Sequence, residues 1–93
     1  MTTAVQETVQ IVNKRGLHAR ASAKFVNAVT ELPTGLAIKV TKDGVEAEGG
    51  SILGLMMLGA AKGDQISISV TGPGAEEALA TLAELVRGGF GEE

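Results

Sequence analysis

Residues 36–48 read LAIKVTKDGVEAE, and no other stretch of the chain determines the fold as strongly. In residues 36–42, larger apolar side chains alternate with polar or small ones, which is the period-two pattern of a half-buried strand. Asp43 and Gly44 favour the positive φ angles of a two-residue hairpin turn. Residues 45–48 alternate in the same way on the return. The stretch therefore predicts an antiparallel hairpin.

The sequence on either side of this hairpin supplies the remaining strands and helices. Apolar residues recur at helical spacing in two long segments and alternate in two further segments. Pro33, together with Gly35, ends the first long helix. The predicted elements around the hairpin are a strand at 5–12, a helix from about 19 to 32, a short helix at 52–58, a strand at 66–70 and a helix at 75–86.

The order β-α-β-β-α-β-α predicts an α+β fold. We expect a four-stranded, mainly antiparallel sheet with three helices on one face. Because the chain is short and shows no linker or internal repeat, we expect residues 1–93 to form a single domain.

Composition excludes several classes of protein. The chain has 93 residues, no cysteine and a net charge of −3, so disulfides and zinc–thiolate sites are ruled out and a nucleic-acid footprint is not expected. The longest apolar run, residues 52–61, is too short to span a bilayer, and the sequence predicts no signal peptide. We therefore expect a cytoplasmic protein with no membrane insertion, metal site or cofactor.

His18 is the one histidine of the chain, and it falls at the predicted start of the first helix. The first backbone N–H groups of a helix lack intrahelical partners and stabilise a bound phosphate. We expect the amides of Ala19, Arg20 and Ala21 to do so here, with the Arg20 guanidinium as a second anion clamp. From the residues alone, a surface histidine near a helix cap is an equally good interpretation.

Ser51 and the short helix at 52–58 form a second candidate site. Ser51 is a good N-cap for this helix, whose side chains are apolar on nearly every side. One sheet cannot bury every face of a short helix, so only Leu55 and Leu58 are assigned to the core. We expect the exposed residues to dock a partner: these are Ile52, Leu53, Met56 and Met57.

Three segments in the right order resemble the HPr proteins of the bacterial phosphoenolpyruvate-dependent phosphotransferase system. Residues 16–26 resemble the family's phosphohistidine motif, residues 50–59 its regulatory-serine segment, and residues 61–64 the entry to its last strand. The resemblance implies an open-faced β-sandwich and phosphorylation on the histidine Nδ1 atom. It makes His18 the phosphoacceptor, Arg20 the phosphate-stabilising residue and Ser51 a regulatory site.

The resemblance also implies partners. Enzyme I would phosphorylate the chain, IIA-type domains would accept the phosphoryl group, and an HPr serine kinase/phosphorylase would act on Ser51. The chain would be a carrier rather than a turnover enzyme, and we expect a monomer. Many family members have proline where this chain has Ala21 and lysine where it has Gly50. Sugar uptake and a nitrogen-type regulatory relay both remain open.

An alternative hypothesis is a regulatory binding module that acts mainly through Ser51 and the apolar helix. The presence of His18 and Arg20 disfavours it, because a pure regulator needs neither. A hydrolase or metal-dependent enzyme is disfavoured because the single histidine has no catalytic partner nearby in sequence.

Overall fold

The computed structural model describes residues 4–92. Four strands and three helices follow the predicted order β-α-β-β-α-β-α, and a short 3₁₀ turn comes after the last helix. The elements are β1 (Ala4–Gln10), α1 (Ala19–Thr30), β2 (Ala37–Lys42), β3 (Val45–Glu48), α2 (Ile52–Met57), β4 (Gln65–Thr71), α3 (Ala75–Arg87) and the 3₁₀ turn (Gly89–Gly91).

The strands form one sheet in the order β1-β4-β2-β3, and every neighbouring pair is antiparallel. The predicted hairpin joins β2 to β3. Its turn residues Asp43 and Gly44 have φ angles of 50° and 81°, the left-handed values that this two-residue turn requires. The predicted α+β architecture is confirmed.

The core lies between one face of the sheet and the helices. Strand β4, in the interior of the sheet, contributes Ile66, Ile68 and Val70, all at most 1% exposed. Helix α3 packs against β1 and β4, whereas α2 packs against α1 and β3. Among residues 4–92, no helix is long and apolar enough to cross a membrane.

Strand β1 and helix α1 are both shorter than predicted. The strand stops at Gln10 because the backbone of Ile11 turns away to bond Asp64 and Gly63, at 2.8 Å in each case. Helix α1 stops at Thr30 rather than Leu32. Leu32 still packs against the core, so the apolar pattern located the buried residue correctly but placed the helix end too late.

Helices α2 and α3 each differ from the prediction by one residue at the C-terminal end, and β4 extends one residue beyond it at both ends. Helix α2 ends at Met57 with Leu58 as its C-cap, and α3 continues to Arg87. The 3₁₀ turn was not predicted, because the two glycines after α3 indicated only that the helix ends. Within this turn Phe90 is 1% exposed, so the chain returns to the core after its last helix.

Candidate functional site

A close backbone contact at Gly16 fixes the loop before α1. Gly16 has a φ of 61°, and a Cβ atom there would lie 2.2 Å from the backbone oxygen of Ala60. The next amide, of Leu17, donates to that same oxygen at 3.0 Å. The side-chain amide of buried Asn13 donates to the Gly16 carbonyl at 2.8 Å. These contacts set the position from which α1 begins.

His18 is the N-cap of α1, as its position in the sequence predicted. Its backbone is extended, and its Nδ1 atom accepts a hydrogen bond from the Arg20 amide at 3.2 Å. The first backbone hydrogen bond within the helix is donated by the Ser22 amide to the His18 carbonyl at 2.9 Å. The amides of Ala19, Arg20 and Ala21 therefore have no backbone acceptor within the helix, which is the arrangement that binds an anion at a helix N-terminus.

The other ring nitrogen of His18 faces a carboxylate that the sequence pattern did not predict as part of the site. Nε2 lies 2.6 Å from Oε2 of Glu92, and both side chains are about 15% exposed, at 16% and 15%. Oε1 of the same carboxylate accepts from the Asn13 side chain at 3.0 Å. Glu92 is 74 residues away from His18 in the chain, so no local motif could have revealed this contact.

The segment that carries Glu92 is anchored just before it. Phe90 is buried although its φ is 58°, a left-handed conformation that costs an ordinary residue about 1–2 kcal/mol. Its carbonyl accepts from Nζ of Lys24 at 2.7 Å. Burial of the aromatic ring offsets this cost and holds the segment against α1.

The surroundings favour the ionised form of Glu92. Desolvation alone raises the pKa of the carboxyl group. The hydrogen bonds from Asn13 and His18, together with the charges of His18 and Lys24, outweigh that effect and hold the pKa below its ordinary value. Glu92 is therefore a carboxylate at neutral pH, and it accepts hydrogen bonds on both oxygens.

A basic cleft of about 310 Å³ lies next to this pair. It is lined by four cationic side chains together with Gly91 and Glu92. The four cations are Lys14, Arg15, Arg20 and Lys24. Half of the eight lysines and arginines of this acidic chain thus fall within residues 14–24. This local concentration of positive charge is the sequence signal that could have predicted the cleft.

Arg20 is exposed at the edge of this cleft. Within residues 4–92, no carboxylate forms an ion pair with its guanidinium group. The five N–H donors of the guanidinium group are therefore available to bind an anion at the helix N-terminus. In the same part of the chain, no group of three or more His, Cys, Asp or Glu side chains could hold a metal ion.

Ser51 caps α2 as predicted, because its Oγ atom accepts from the Gly54 amide at 2.9 Å. Leu55 and Leu58 are buried. The four side chains that the sequence assigned to docking are exposed, and we call them the apolar patch: Ile52 (41%), Leu53 (67%), Met56 (39%) and Met57 (74%). Since α2 packs against α1, the patch lies on the helix next to the one that His18 caps.

Comparison with known proteins shows to which family the chain is related. The sequence model of the family described as "PTS HPr component phosphorylation site" matches residues 5–88. The phosphocarrier protein HPr of Neisseria meningitidis serogroup A is 42% identical over 88 residues, which are 95% of this chain and 97% of that protein. The phosphocarrier protein NPr of Escherichia coli K12 is 40% identical over 89 residues, 96% of this chain and 98% of that protein.

A solved structure shows the same similarity in three dimensions. The crystal structure of HPr-C-His from Thermoanaerobacter tengcongensis superposes with a TM-score of 0.88 at 38% sequence identity. The match covers 96% of this chain and 98% of that one.

Proposed function

Because the chain belongs to the HPr family of phosphocarrier proteins of the bacterial phosphotransferase system, we propose that it accepts a phosphoryl group on Nδ1 of His18 and passes it on. Enzyme I is the proposed donor, and IIA-type domains are the proposed acceptors. One observation carries the proposal: the lone pair of Nδ1 points at the first free amides of α1, while Nε2 is engaged by Glu92.

The transfer step is a nucleophilic displacement at phosphorus. The Nδ1 lone pair forms the new N–P bond, and the bond from phosphorus to the donor atom breaks with its electron pair left on the donor. Nε2 keeps its proton, so the ring gains a positive charge that the adjacent Glu92 carboxylate balances. Discharge to an acceptor reverses these changes.

The helix N-terminus supplies donors for the group once it has arrived. The Arg20 amide, which donates to Nδ1 before transfer, becomes available to a phosphoryl oxygen. The amides of Ala19 and Ala21 lie in the same turn, and the dipole of the 12-residue α1 favours negative charge there. The Arg20 guanidinium adds charge-assisted hydrogen bonds from the solvent side.

The partner surface combines two features of opposite character. The apolar patch provides adaptable contact area, since methionine side chains fit surfaces of different shape. The basic cleft favours acidic partner surfaces around the transferred group. We propose that enzyme I and the IIA acceptors dock here in turn. Such a relay needs its site exposed, and we propose that the chain works as a monomer in the cytoplasm.

Ser51 is the proposed regulatory site. A phosphate on a helix N-cap is favoured by the helix dipole, so modification by an HPr serine kinase/phosphorylase would not unfold α2. It would place a charge of about −2 beside the apolar patch and weaken docking of partners. The patch and the cap would suit a purely regulatory module equally well, but the arrangement around His18 favours the carrier.

Transfer of a phosphoryl group to the protein, which we call loading, tests this proposal. We would incubate the folded chain with phosphoenolpyruvate and enzyme I, and measure intact mass before and after brief acid treatment. The expected result is one acid-labile phosphoryl group, absent from a His18→Ala variant that keeps its fold. No gain of mass, with an enzyme I that loads another carrier in the same experiment, would refute the proposal for this donor.

A further inference from the structure

We infer that Glu92 is a positioning residue for His18. Its carboxylate holds the neutral imidazole as the Nε2–H tautomer and so leaves the lone pair on Nδ1. The part of this inference that concerns transfer rests on the function proposed above. The part that concerns the tautomer rests on the geometry alone.

Contacts on opposite sides of the ring favour the same tautomer. Glu92 is ionised, so its oxygens can only accept, and the Nε2 atom 2.6 Å away must be the donor. On the other side, the Arg20 amide donates to Nδ1 at 3.2 Å, so Nδ1 must carry a lone pair. A ring with its proton on Nδ1 would place a lone pair against the carboxylate and two N–H groups against each other.

The carboxylate is held in place by contacts that do not involve His18. Asn13 is 4% exposed, and its side-chain nitrogen donates both to Oε1 of Glu92 and to the Gly16 carbonyl. Buried Phe90 lies two residues before Glu92 and is fixed by Lys24. The acceptor for Nε2 is therefore positioned before any phosphoryl donor arrives, which lowers the cost of orienting the ring.

The charge of the Glu92 carboxylate also favours phosphorylation at Nδ1. When Nδ1 forms its bond to phosphorus, positive charge develops on the ring beside an anion that is already in place. Among residues 4–92, the other charged side chains that act on this pair or line the cleft are cationic. They are Lys24, whose charge acts directly on Glu92, and Lys14, Arg15 and Arg20 along the cleft. Glu92 is thus the one carboxylate that the described residues bring to this pair and cleft.

The tautomer can be measured without any partner protein. The chain has a single histidine, so ¹⁵N-histidine labelling gives two ring nitrogens and no overlap. At a pH where the ring is neutral, we expect the wild type to show a protonated Nε2 and an unprotonated Nδ1. Glu92→Ala should yield a mixture of both tautomers. Glu84→Ala, which removes an exposed carboxylate from α3, is the matched control and should leave the spectrum unchanged.

Transfer kinetics then separate orientation from charge. At metal sites, removing the carboxylate that orients a ligating histidine lowers metal affinity or activity by about 10- to 100-fold. We expect a loss of that order in the loading rate of Glu92→Ala with enzyme I. Glu92→Gln leaves a single oxygen for the two donors that the carboxylate now serves, Nε2 of His18 and the Asn13 side chain. It should therefore favour the Nε2–H tautomer less strongly than the wild type and lose part of the loading rate. Because Gln closely matches Glu in size, this variant keeps the test valid if Glu92→Ala disturbs the fold.

The possible outcomes are distinct. A wild-type ring with its proton on Nδ1, or equal tautomer ratios in wild type and Glu92→Ala, would overturn the inference. A tautomer change with an unaltered loading rate would overturn the positioning role in transfer. Failure of the wild type to load at all would count against the proposed function, while the tautomer spectrum would still decide whether Glu92 orients His18.

Discussion

The two nitrogens of His18 have different neighbours and therefore different chemistry. Nδ1 faces a backbone amide at the start of α1, and Nε2 faces the Glu92 carboxylate. We therefore propose that Nδ1 is the nucleophile, beside backbone donors for an anion, and that Nε2 is a hydrogen-bond donor to the carboxylate. The Nδ1 contact follows from the position of His18 at a helix N-cap, where a side chain bends back toward the first free amides. The Nε2 contact follows from the tertiary fold, which brings Glu92 to the ring.

Arg20→Ala tests the guanidinium clamp. A hydrogen bond to a charged group contributes about 1.5–3 kcal/mol, so we expect loading by enzyme I to slow by about 10- to 100-fold with little change in stability. Rapid-quench measurement of phosphoryl incorporation gives the rate. Arg87→Ala, which removes a guanidinium paired with Glu7 on the sheet, is the control and should load normally. Equal rates for the two variants would exclude a role for Arg20.

Gly16→Ala tests the close contact that positions the loop. The new Cβ atom would overlap the Ala60 carbonyl and force an ordinary residue to a φ of 61°. Overpacking costs about 1–3 kcal/mol, and left-handed backbone adds about 1–2 kcal/mol. We expect the free energy of unfolding to fall by about 2–5 kcal/mol in denaturant titration.

Gly35→Ala separates these two costs. Gly35 also has a positive φ, of 93°, but nothing lies within 4 Å of the position that its Cβ would occupy. This variant should lose only the conformational part, about 1–2 kcal/mol. If both variants lost the same stability, the contact with Ala60 would have no measurable effect.

At the scale of elements, α2 combines a polar cap with an exposed apolar face. Ser51→Ala should lower the free energy of unfolding by about 1 kcal/mol, because the Gly54 amide loses its acceptor. Ser51→Asp should retain most of the stability, since aspartate caps equally well, yet slow loading by enzyme I through its negative charge. Thermal unfolding and loading kinetics measure the two effects. A Ser51→Asp variant that loads at the wild-type rate would argue against regulation through charge at this position.

Met56→Glu tests the apolar patch. The side chain is 39% exposed, so the fold should persist, while a charge within the proposed docking surface should raise KM for enzyme I by about 10-fold. Val45→Glu is the matched control, because Val45 is 56% exposed on β3 and lies outside the patch. Similar kinetics for the two variants would remove the patch from the docking surface.

The sequence predicted those elements whose signals are local. The Asp43-Gly44 turn and the Ser51 cap depend on side chains within a few positions, and both lie where they were predicted. Phe90 and Glu92 could not be predicted in this way. The left-handed φ of Phe90 opposes its own preference, and Glu92 meets His18 only because the last turn folds back across the whole sequence.

At the scale of the whole molecule, the last described residues are joined to the loop before α1. Asn13 and His18 both bond Glu92, so the last described turn meets the loop before α1 at the proposed site. This connection makes the geometry of the histidine depend on the tertiary fold rather than on α1 alone.

This connection should be sensitive to acid. In the folded protein the pKa of Glu92 is held below its ordinary value. The ionised carboxylate therefore stabilises the fold fully at pH values above the ordinary pKa of a glutamate, and this stabilisation is lost as the pH falls through the lowered pKa of Glu92. We expect the Asn13 side-chain amide to change environment as the pH falls below the ordinary range of a glutamate carboxyl group and Glu92 is protonated. An NMR titration measures this. An amide that keeps the same environment until global unfolding would contradict the account.

The most direct test of the central claim is the identity of the nitrogen that carries the phosphoryl group. The chain labelled with ¹⁵N-histidine would be loaded with phosphoenolpyruvate and enzyme I, and its ring nitrogens examined for coupling to ³¹P. The account predicts coupling at Nδ1 and a proton on Nε2. Coupling at Nε2, or a loaded protein whose single histidine is unchanged, would contradict it.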